Sequence, residues 1–192
     1  MRMVLLLGVV MWAGCGDEVR TYRIAPYLEP GQGNCIECSV ALSLRATEER
    51  GDGTLNVTHF YPETFKEQGF TFKWGVEQRV EIEMERYPTD MEDDPGVRFT
   101  FRRVLERHPV EPGARFTMTF PEAPPGVYAE KILVREGDGF LLQQAERLEC
   151  GSAELCEQLA ARRPGEAGFA LEVAYPETEG APLRLHAVRD LP

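Results

Sequence analysis

Apolar and polar positions alternate along most of this chain. In Val80-Glu81-Ile82-Glu83-Met84-Glu85 aliphatic and acidic residues take turns, which predicts a strand with one buried and one wet face. Phe116, Met118 and Phe120 alternate with Thr117 and Thr119 in the same way. Val40, Leu42 and Leu44 alternate with Ala41 and Ser43, and Gly51-Asp52-Gly53 turns the chain into Leu55, Val57 and His59. Val97, Phe99 and Phe101 start a further strand. Phe169, Leu171 and Val173, then Leu183 and Leu185, give two more. Glu136-Gly137-Asp138-Gly139 predicts a hairpin between 128–135 and 140–148. One helix is predicted over 153–163, capped by Gly151 or Ser152 and ending on Arg162 and Arg163. The sum is a mainly β fold, a small antiparallel β barrel or sandwich, with the helix in a C-terminal α+β portion.

Composition narrows the class. The chain has 192 residues, 43% of them apolar, and a formal charge of −11. That is an acidic globular protein with enough aliphatic and aromatic residues to build a core. There is no Gly-X-Y period and no sustained heptad, which excludes collagen and coiled coil. A single short apolar run excludes a multi-span membrane protein. The negative balance repels phosphate, so nucleic acid is not an expected partner.

The apolar run is the N-terminus. Arg2 is followed by about ten apolar residues, then Ala13-Gly14-Cys15. Ten helical residues reach only about 15 Å, half of a hydrocarbon core, so an export signal over 1–14 is expected instead of a span. The ending Trp12-Ala13-Gly14-Cys15 resembles a bacterial lipoprotein signal, with Trp12 where that family usually has Leu. The resemblance implies that Cys15 becomes the first mature residue and carries acyl chains such as palmitate. Two or more chains anchor firmly. Gly16 follows Cys15, which favours the outer over the inner membrane.

The remaining four cysteines form two local pairs, Cys35 with Cys38 and Cys150 with Cys156. Export places them in an oxidising compartment, so two structural disulfides are expected. A thiol-redox role for Cys35 and Cys38 is the alternative, but such chemistry needs the first cysteine at a helix N-terminus, and here a strand follows. A zinc site from all four is disfavoured by the spacing of the second pair. The predicted organisation is a signal at 1–14, a lipidated tether at 15–34, a two-cysteine β domain at 35–112 and a β-rich portion with the helix at 113–192. Pro121 to Gly126 forms a stiff connector within the last.

Between residues 35 and 106 the pattern resembles the bacterial family called domain of unknown function 4377. The residues are Gly69-Phe70-Thr71-Phe72-Lys73-Trp74-Gly75, the long alternating strand from Val80 to Met84, and Phe99 with Phe101. Cys38-Ser39-Val40 resembles the family's second cysteine leading into a strand. The resemblance implies a secreted or lipid-anchored bacterial protein and brings no activity with it.

Candidate chemistry is sparse. Asp90-Met91-Glu92-Asp93-Asp94-Pro95-Gly96 is rich in carboxylates but lacks the order of a calcium loop and reads as a solvated turn. His59, His108 and His186 are scattered, with no triad spacing. Asn56-Val57-Thr58 fits a glycosylation acceptor, which a bacterial protein would not use. Phe70, Phe72 and Trp74 share one parity and are the candidate binding patch. No catalytic residue, metal or cofactor is expected. The reading is a lipid-anchored, non-catalytic binding or structural module of the cell envelope, its partner a protein or small molecule.

Overall fold

A computed structural model describes residues 18–31, 41–51, 54–89, 96–122, 132–143, 146–162, 167–178 and 180–191. The alternating stretches fold as strands. The first half carries β1 (Glu18–Gly31), β2 (Ala41–Glu49), β3 (Leu55–Phe60), a short helix α1 (Pro62–Lys66), β4 (Val76–Arg86) and β5 (Val97–Pro109). These strands form an antiparallel sheet in the order β3-β2-β1-β4-β5. Residues 18–31, expected within a tether, are instead β1, the middle strand of this sheet.

The second half carries β6 (Arg115–Phe120), β7 (Leu133–Glu136), β8 (Gly139–Leu142), β9 (Glu146–Cys150), α2 (Ala153–Ala160), β10 (Phe169–Ala174) and β11 (Leu183–Asp190). Their sheet has the order β6-β10-β11-β9-β8-β7. It is not wholly antiparallel: β9 and β11 run parallel, joined by a crossover that contains α2. The predicted hairpin forms at Gly137 and Asp138. The expected strand over 140–148 breaks at Gln143, whose φ of 46° lies in the left-handed region.

The fold is a β sandwich with short helices, mainly β as the alternation predicts. The first sheet curls until Phe60 on β3 and Phe99 on β5 meet at 5.1 Å between ring centroids. Those edge strands are not hydrogen-bonded to each other, so the sheet does not close into a barrel. Two register shifts between β4 and β5 assist the bend, because an extra residue on one strand increases local twist. Both sheets contribute to one hydrophobic cluster, with Ile24, Leu44 and Ile82 from the first and Met118, Leu171, Leu148 and Leu185 from the second. Phe120 and Phe169 stack at 4.7 Å within it.

The outer face of the first sheet is an ion-pair ladder. Arg79 bonds Glu49 at 2.8 Å and Glu106 at 3.0 Å, Arg103 holds Glu81 through two bonds, and Arg102 pairs with Glu83. The acidic half of β4's alternation is therefore paired rather than merely wet. Hydrogen bonds from Arg103 to Glu81, from His108 and Arg79 to Glu106 and, on the second sheet, from Arg115 to Glu172 hold these carboxyls below their usual range. A carboxyl lowered on folding stabilises the fold above its unfolded value, about pH 4, and loses that contribution as acid protonates it. The melting temperature is expected to fall modestly below about pH 4, and the loss should shrink in high salt. A flat acid limb in a calorimetric series would show that the ladder adds no stability.

Candidate functional site

The crossover from β3 to β4 carries the aromatic patch. Pro62 at its start suits the first turn of α1, which buries Phe65 against Phe60 at 5.1 Å. Gly69, with φ 87°, reverses the chain, and Phe70 N–H donates to Phe65 O at 3.1 Å. Phe70 is thereby buried 5.3 Å from Phe101. Gly75, with φ 74°, ends the crossover under restraint from both sides. Its N–H donates to Pro26 O at 2.8 Å, and its carbonyl accepts from Val110 at 2.8 Å. Phe72 and Trp74 between these turns meet edge to face at 5.4 Å, and Trp74 leans on Phe116 at 5.9 Å. The shared parity of the three residues therefore reflects a looped crossover, not a strand.

All three line a cleft. It consists of two adjoining cavities of about 340 Å³ and about 490 Å³ that share Phe72, Trp74 and Glu146. Leu28, Leu42 and Leu142 floor the first beside Phe70, and Val110 and Tyr175 wall the second. Glu146, at the first position of β9, is half-buried and makes no hydrogen bond or ion pair among the described residues, although Lys66 lines the same cavity. Burial pushes its carboxyl above the usual range. Burial also raises the Tyr175 phenol strongly. Gln143 is a further polar residue of the first cavity. Its Oε1 accepts from Leu42 N–H at 2.7 Å, and its own N–H donates to Ile132 O at 2.7 Å. Leu42 lies beyond the end of β3, so this side chain supplies the partner that the missing strand would have given.

A larger, more polar cavity of about 720 Å³ lies between β1, β2, β3 and β6. Ser43 and His59 meet there, Oγ to Nδ1 at 3.1 Å, with Glu29 Oε2 4.0 Å from His59 Nε2. Sequence spacing could not reveal this serine, histidine and acid, because strand register brings them together. They do not form a nucleophilic triad. The Ser43 hydroxyl donates to Glu29 O at 3.0 Å, and in that arrangement His59 Nδ1 donates to Ser43 instead of accepting its proton. Ser43 is also only 3% exposed. His108 pairs with Glu106 on the surface, and burial lowers the half-buried His186.

Cys150 and Cys156 form a disulfide, with Cα atoms 5.5 Å apart. It ties the end of β9 to α2, whose N-terminus Ser152 caps by accepting from Leu155 N–H at 3.3 Å. Gly151 is needed between them, since a Cβ would sit 2.7 Å from Leu185 O. Cys15, Cys35, Cys38 and the carboxylates at 90–94 lie outside the described residues. Among the described residues no cluster of three or more His, Cys, Asp or Glu is placed to hold a metal ion. No protein-family model, curated protein or solved structure matches the chain, so the cleft is read from its own geometry.

Two stability measurements follow from this geometry. Gln143→Ala leaves the buried Leu42 N–H without a partner and is expected to cost about 1–3 kcal/mol in urea unfolding. Replacing Cys150 and Cys156 by Ser together is expected to cost about 2 kcal/mol, and reductant should lower the wild-type melting temperature to a similar degree.

Proposed function

We propose that this protein is a lipid-anchored component of a bacterial cell envelope that acts by binding, with the cleft around Phe72 and Trp74 as its binding surface. The observation that carries the binding half is the cleft itself. Two contiguous cavities of ligand size are walled by aromatic side chains and contain a few polar groups, one of them an unpaired carboxylate. Among the described residues Ser43 is the serine found beside a histidine and an acid, and its hydroxyl donates to the Glu29 carbonyl, which favours binding over acyl transfer.

The anchoring half rests on Arg2, the apolar run and Ala13-Gly14-Cys15. The Cys150–Cys156 bridge is in keeping with an oxidising compartment. Gly16 and Asp17 alone separate Cys15 from β1, a reach of about 10 Å. An acylated Cys15 would therefore hold the sandwich close against the bilayer, with no long spacer, and the outer membrane remains the favoured location.

Mass spectrometry on the protein from the membrane fraction tests the anchor. An acylated N-terminal Cys15 is expected, and an unmodified chain beginning at Met1 in the cytosol would refute it. An NMR fragment screen tests the cleft. Shifts should concentrate at Phe72, Trp74 and Gln143 and vanish in Trp74→Ala; shifts spread evenly over the surface would count against it.

A further inference from the structure

We infer that the cleft receives a small organic ammonium ion, its cationic head seated between the Glu146 carboxylate and the rings of Phe72 and Trp74. This rests on reading the cleft as a binding surface and adds the chemistry of the occupant. A half-buried carboxylate is costly when it loses part of its hydration and, among the described residues, gains no partner in return. A cation in the cleft would restore that charge balance. Phe72 and Trp74 stand edge to face at 80°, so a ligand in the corner they make meets an aromatic ring as well as the carboxylate. Ring faces attract ammonium groups through their quadrupole, by roughly 0.5–2 kcal/mol.

The donor set separates this occupant from others. A calcium-like ion needs about six or more oxygen ligands. Among the described residues no three His, Cys, Asp or Glu side chains are placed together to supply them. Glu63 and Lys66 line the first cavity and Glu177 and Lys73 the second, so these charges offset one another and the shared Glu146 leaves the lining with an excess of one negative charge, which disfavours an anion. A neutral apolar ligand would fill the space and leave Glu146 uncompensated. The cavities, about 340 Å³ and about 490 Å³, suit a small molecule.

The test uses the full chain carrying Trp12→Phe, which makes Trp74 its sole tryptophan. Trp74 fluorescence is titrated with choline, with its uncharged carbon isostere dimethylbutanol, and with butyrate. Choline should give a saturable change, dimethylbutanol should bind at least about tenfold more weakly, and butyrate should not bind. Glu146→Gln should erase the preference for choline and at the same time raise the melting temperature, because an uncompensated charge is removed. If the alcohol matches choline, or if Glu146→Gln keeps the preference, the ammonium inference fails and the cleft remains a binding surface. If no probe of any charge, aromatic fragments included, gives a saturable response, the binding reading itself fails. The choline and alcohol comparison on wild-type side chains decides the matter even if Glu146→Gln does not fold.

Discussion

The architecture depends on one interruption in β1, between Ile24 and Leu28. Before it, β1 pairs with β4 over Glu18–Ile24 and joins β2 at Tyr22. After it, Leu28–Gly31 pairs with β2 alone. At the break, Tyr27 stacks on Phe116 of β6 at 5.2 Å, and Pro26 O accepts the N–H of Gly75. A single irregular stretch thus brings the second sheet alongside the first and fixes the end of the crossover that carries Phe72 and Trp74. The cleft follows from that join, since its walls come from both sheets.

Burial, not the ladder of ion pairs, supplies the cohesion. Exposed pairs such as Arg103–Glu81 are solvated and screened and contribute little each, while a buried Phe or Leu contributes about 1.5–3 kcal/mol. The inner face of the first sheet carries Phe60, Phe99 and Phe101, and α1 closes over them with Phe65. The outer charges are better understood as keeping the sheet soluble and its register specified. A one-residue slip would place β4's glutamates in the core.

Strands with clean alternation were legible from residues alone: β4, β6 and β10 fall where the pattern places them. β1 was not: it lies within the stretch expected as a tether, and it contains Pro26 and Pro30, a residue type normally excluded from an inner strand. It is tolerated because Pro26 sits in the register break and Pro30 has a strand neighbour on one side only. α1, with five residues, is too short to announce itself by periodicity. The aromatic patch was visible as residues but not as a loop, since its shape depends on the left-handed turns at Gly69 and Gly75. Glu146 carried no signal, because its isolation is a property of the packing around it.

Gln143 and Glu146 bring two kinds of cost into one short stretch. The first is a non-glycine residue in a left-handed conformation, of order 1–3 kcal/mol. The second is a carboxylate without a partner. Neither is needed to connect β8 to β9: Gly or Asn would turn the chain more easily at 143, and Gln would fill the position at 146 without charge. The Gln143 side chain at least satisfies Leu42, which gives its conformation a structural use. Among the described residues Glu146 has no such return. A cost that the fold itself does not recover, located where two cavities meet, is the physical reason to look for its recovery in a bound cation.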